Sequence, residues 1–150
     1  MEAQFLYFDV AHAIKIHDWI IEHSGGMSGK NNIALLESPL EHIRNDLYYP
    51  KIEDKTTHLV YSVNKNHTFM DGNKRLSIVL GAYFLELNGY GYCVEIFLQR
   101  MENITIWIAT NVISKILLLE IITSIIYEVD YSEALKLKII SAVSKQDASF

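Results

Sequence analysis

The sequence predicts an all-α fold, a bundle of about six or seven helices whose one irregular part is a loop or small β-hairpin. Three observations carry this. Apolar residues recur at i, i+3, i+4 spacing along most of the chain. Strand signals are scarce. Breakers at Ser24-Gly25-Gly26, Tyr48-Tyr49-Pro50 and Asn88-Gly89 leave helix-length segments between them.

The elements follow in order. Asp9 suits the N-cap of a first helix, with Val10, Ile14, Trp19 and Ile20 near one face. Paired glycines end it. Residues 24–34, SGGMSGKNNIA, are the longest polar, glycine-containing stretch and read as an ordered loop or short hairpin. Pro39 fits the first position of a short helix running to Leu47. A third helix spans Glu53 to Lys65 on the apolar face of Leu59, Val60 and Val63. Asn66 to Asn73 reads as a turn. A fourth helix runs from Asn73 to Leu87, with Leu76, Val79, Leu80, Tyr83 and Leu87 at helical spacing. Residues 90–97 suit a short strand or turn. One long or two shorter helices fill 98–128, and a last one covers about 131–144.

The chain has 150 residues, half of them hydrophobic and only two of them proline, which is the composition of one folded domain spanning 1–150. A net charge of -5 argues against wrapping a nucleic-acid backbone, so no direct nucleic-acid binding is expected and any phosphate must be held locally. Cys93 has no cysteine to pair with, and no secretory signal is visible; a cytoplasmic location is the expectation. The most apolar stretch, Ile104 to Val129, contains Asn111, Lys115 and Glu120, each costly at bilayer depth. It reads as buried core, with no membrane partner.

Chemistry concentrates in His67-Thr68-Phe69-Met70-Asp71-Gly72-Asn73-Lys74-Arg75, which joins the end of one helix to the start of the next. A helix N-terminus presents unpaired N–H groups and a partial positive charge. Gly72 lets the backbone take φ > 0 or approach a ligand closely, and Asn73 tolerates similar conformations. Lys74 and Arg75 place two cations where the helix is already positive, an arrangement that makes sense when an anion binds there. Gly72, Asn73, Lys74 and Arg75 are therefore the candidate phosphate-binding residues. Asp71 supplies an oxygen ligand beside them, and Mg²⁺ is the cation that bridges one carboxylate to phosphate oxygens. His67 has the chemistry of a base at neutral pH. Phe69 alternates with these polar groups as an inward anchor. A metal hydrolase built on His58, His67 and Asp71 would lack any recognised ligand-pair spacing.

His67 to Arg75 resembles the Fic-family signature, H-x-F-x-[D/E]-G-N-[G/K]-R, at every defined position. Leu35-Leu36-Glu37-Ser38, Phe84-Leu85-Glu86-Leu87-Asn88-Gly89 and Ile16-His17-Asp18 look like the death-on-curing (Doc) branch. The resemblance covers roughly residues 5–92. It implies a Fic-type helical bundle in which His67 deprotonates a Ser, Thr or Tyr hydroxyl of a target protein. It further implies Mg²⁺ on Asp71, the phosphates of ATP or another nucleoside triphosphate on Gly72, Asn73 and Arg75, and a target-docking flap around Lys30, Asn31, Asn32 and Ile33.

Two departures concern the reaction. Most adenylyl-transferring members have glycine in place of Lys74 and a second arginine where this chain has Ile78. Both match the Doc branch, whose toxins are similar to phosphotransferases acting on a translation factor. Phosphoryl transfer is thus the leading expectation, with AMP transfer and an inactive interaction domain as alternatives. Ser124 to Val129 misses the family's inhibitory pattern at its last position, which implies control by a separate antitoxin protein.

Overall fold

Asp9 starts the first helix as expected: its carboxylate accepts the backbone N–H of His12 at 2.9 Å, one of the donors a helix N-terminus otherwise leaves unpaired. Helix α1 (Val10–Ser24) buries Ala13, His17 and Ile20. Trp19 is a correction. It lies off this stripe, 59% exposed, and stacks on His23. Gly25, at φ +81°, ends the helix. The computed structural model describes residues 4–147.

Helix α2 (Ala34–His42) begins earlier and ends earlier than the sequence suggests, and Pro39 is inside it rather than at its first position. A proline in a helix interior leaves the carbonyl four residues back without a donor. Here that carbonyl, Leu35, accepts the side-chain amide of Asn66 at 3.0 Å. Past His42, the Asn45 side chain accepts the N–H groups of Leu47 and Tyr48 and turns the chain instead of extending the helix.

Helix α3 (Ile52–Asn66) is the axis of the bundle. It packs against α2, α4 (Asn73–Leu87), α5 (Val94–Ala109) and α6 (Lys115–Tyr127). Leu59, Val60 and Val63 are fully buried, as their spacing predicts. Lys55 is fully buried as well, its ammonium bonded to the Ile43 carbonyl and to Asp46. Helix α4 matches its predicted bounds, with Leu76 and Leu80 buried and Val79, Tyr83 and Leu87 packed on the core margin. Gly81 allows its neighbours to close in: a Cβ there would sit 2.7 Å from Val60 and 2.8 Å from Phe97.

No strand forms at residues 90–97. A 3₁₀ turn at Gly91–Cys93 leads straight into α5, whose buried stripe of Phe97, Met101, Ile104 and Ile108 has helical spacing. Residues 98–128 are two helices, α5 and α6, separated by a turn in which Asn111 takes φ +62°. No helix among the described residues is long and apolar enough to cross a membrane. The last helix, α7 (Glu133–Asp147), packs on α6 and buries Leu135. The glycine-containing stretch after α1 is a loop rather than a hairpin; its one β-type pairing is Lys30 with Phe69.

Candidate active site

The site is assembled where α3 ends and α4 begins. His67 closes α3 in the left-handed region, at φ 51° and ψ 49°. Its imidazole is exposed and makes no hydrogen bond among the described residues. The turn it starts carries Thr68 and Phe69 into the interior.

Phe69 is 1% exposed and anchors the loop. Its ring stacks on His17 of α1, with centroids 3.6 Å apart and planes 11° from parallel. Its backbone is clamped by Asn73, whose side-chain oxygen accepts the Phe69 N–H and whose amide donates to the Phe69 carbonyl. The Asn73 side chain is thus engaged in holding the loop; its backbone N–H belongs to the first turn of α4. No side chain caps that helix, so the first-turn N–H groups remain available to an anion.

Gly72 stands at the N-cap with φ +82°. A Cβ at this position would meet Ile21 at 3.1 Å and His17 Nε2 at 3.3 Å, so both conformation and space require glycine. His17 is 1% exposed, and its Nε2 lies 2.7 Å from the Asp71 carbonyl. A carbonyl only accepts, so that nitrogen carries the hydrogen.

The Asp71 carboxylate accepts the Met27 N–H with one oxygen, at 3.2 Å, and the Gly72 N–H with the other, at 2.8 Å. These bonds, Met27 first, hold its carboxyl below the usual range, so it is ionised at neutral pH. Arg75 donates to the Gly25 carbonyl at 3.0 Å. The Gly25–Met27 end of the loop therefore closes over Asp71 and Arg75. A Cβ at Gly26 would come within 2.8 Å of the Asp71 carboxylate and 3.1 Å of the Arg75 guanidinium. Lys74 is exposed beside them and makes no ion pair among the described residues. Ile78, one turn on, is half-buried.

The remaining flap residues also meet the motif. Lys30 pairs with Phe69. The N–H groups of Asn31 and Asn32 donate to the Thr68 carbonyl, and that of Met70 donates to Gly29. The Asn31 side chain donates to the carbonyls of both His67 and Phe69. Asn32 turns back to accept the Ala34 N–H, and Ile33 packs against the core.

His67, Asp71, the start of α4 and the flap thus form one connected unit. His58 does not join it. Its partners are His42 and Lys115. Among the described residues no three His, Cys, Asp or Glu side chains converge as a metal cage. A lone ionised carboxylate beside N–H groups open to an anion fits Mg²⁺, which takes few protein ligands when phosphate supplies the others, and does not fit a structural zinc.

The residue that sequence reasoning missed is His17, quoted above only for its resemblance. The available signal was its place on the buried stripe of α1, between Ala13 and Ile20. Glu128, at the near-match to the inhibitory pattern, is exposed at the end of α6.

The flap, His17, Phe69 and the uncapped start of α4 all lie within one matched segment: the family model of the Fic/DOC family covers residues 7–85. A relative from Mycolicibacterium smegmatis (strain ATCC 700084 / mc(2)155), Toxin Doc, is 29% identical over 91 residues, 58% of this chain and 70% of that protein. With more than half of its length matched and the signature residues gathered at the junction of α3 and α4, this chain belongs to the Fic/DOC family.

Proposed function

We propose that this chain transfers a phosphoryl group from a nucleoside triphosphate to a Ser, Thr or Tyr hydroxyl of a target protein, as a Doc-like toxin controlled by a separate antitoxin. The observation that carries this is the pairing of an ionised Asp71 with the uncapped, cation-flanked start of α4, next to an unbonded His67. The relative named Toxin Doc supports the toxin reading.

His67 accepts the proton of the target hydroxyl as the hydroxyl oxygen attacks the γ-phosphorus, and the bond to the bridging oxygen breaks to release the nucleoside diphosphate. The first-turn N–H groups of α4, with Lys74 and Arg75, hold the phosphates. Asp71 would hold Mg²⁺, which would neutralise phosphate charge when bound. The flap, already paired to the loop, presents the target segment. Lys74 in place of glycine and Ile78 in place of a second arginine favour the pose that brings the γ-phosphate to the hydroxyl. ATP labelled separately at the α- and γ-positions tests the reading. Only the γ-label is expected on the target; the α-label there would replace phosphoryl transfer with AMP transfer, and neither label would leave a binding domain.

The metal assignment has its own test. Asp71→Asn is expected to weaken nucleotide binding much more with Mg²⁺ present than without it, as read by titration calorimetry. Equal losses under both conditions would remove Asp71 from the metal site.

A further inference from the structure

A second cluster of reactive groups lies away from the loop. Lys115 Nζ is 2.7 Å from His58 Nδ1, and His58 Nε2 is 3.0 Å from His42 Nδ1. His58 lies about 12 Å along the axis of α3 from the helix end that carries His67. Lys115 borders a cavity of about 200 Å³, walled by Tyr48, Tyr49, Ile116 and Leu119. Thr57 also lines it; it is 3% exposed, and its hydroxyl has no partner among the described residues.

The surroundings disfavour a charged ammonium. Lys115 is the first residue of α6, where the helix dipole is positive. No carboxylate lies within ion-pair distance among the described residues. Burial lowers the lysine pKa from its ordinary value. Asp54 shares the cavity but is bonded to the Lys51 N–H, and the rings of Tyr49 and Tyr61 lie 5.7 and 5.9 Å from the ammonium. His58 is held at about 4 by burial first, then by Lys115 and His42, so it is neutral at pH 7. An ammonium only donates, so His58 Nδ1 accepts from it; the His58 hydrogen then sits on Nε2 and is donated to His42. His42 is exposed. The three groups form a path for a proton from the cavity to solvent.

We propose that Lys115 is a nucleophilic amine that forms an imine with a small aromatic aldehyde in this cavity, with His58 and His42 carrying its proton to and from the surface. The ammonium gives a proton to His58 Nδ1, and His58 Nε2 passes one to His42. The free amine attacks the aldehyde carbon, forming a C–N bond. The carbinolamine oxygen regains a proton and leaves as water, giving the protonated imine. Tyr48 and Tyr49 provide faces for the aldehyde's ring.

Benzaldehyde with sodium cyanoborohydride, which fixes any imine as a secondary amine, tests this on the full chain by peptide mass mapping. At pH 7 Lys115 is expected to be labelled about tenfold faster than exposed Lys15 and Lys51. Its rate should also reach a plateau at lower pH than theirs. His58→Gln, checked for folding by circular dichroism, should bring the Lys115 rate down to that of the surface lysines. Labelling of wild-type Lys115 no faster than Lys15 or Lys51 overturns the nucleophile. An undiminished rate in folded His58→Gln overturns the proton path. Neither result bears on the transferase site.

Discussion

His67→Ala is expected to lower transfer to the target by about 10²–10⁴-fold, which is about 3–5 kcal/mol on the barrier, while the protein stays folded. The imidazole is exposed and bonded to nothing among the described residues, so removing it leaves no cavity and no orphaned partner. The backbone is the remaining concern. Residue 67 sits at φ 51°, where histidine is better tolerated than most residues; alanine there costs about 1 kcal/mol. Transfer rate and melting temperature measured together separate the two effects. Wild-type transfer by the variant would remove His67 from the role of base.

Phe69→Ala acts through structure instead. The side chain is 1% exposed and stacked face to face on His17. Truncating a buried phenylalanine costs about 3–5 kcal/mol. The cavity would open beneath the peptide that carries Asp71, because His17 also holds the Asp71 carbonyl. The loss is expected in chemical denaturation, together with weaker Mg-nucleotide binding. A stability change under about 0.5 kcal/mol, within the range of ordinary surface substitutions, would show that the ring does not anchor the loop.

Local signals made much of this fold legible. The bounds of α4 follow from its apolar spacing and the Asn88-Gly89 stop, and Asp9 caps α1 as its position suggests. The misread elements depend on distant residues. Pro39 looks like a helix start because nothing nearby can serve the carbonyl it orphans; Asn66, at the far end of α3, does so. Residues 90–97 are rich in aromatic and branched side chains that locally suit a strand, and only the stripe running on to Ile108 shows a helix. Trp19 is apolar yet turned outward, where it stacks on His23. In the site, the loop was readable because its residue types are consecutive. The Met27 N–H on Asp71 and the Arg75 bond to Gly25 were not, since backbone groups carry no sequence signature.

The flap is joined to the loop by the Asn31, Asn32 and Met70 amides and by the Asn31 side chain, which spans the carbonyls of His67 and Phe69. Two segments sharing so many bonds lose and gain order together. A ligand that stiffens either one therefore lowers the ordering cost of binding at the other. If the loop holds nucleotide and the flap a target peptide, as proposed, thermodynamic reciprocity requires that each raise the affinity for the other by the same factor. In this chain, substrate synergy would be a property of the paired backbone itself, with no moving domain to transmit it.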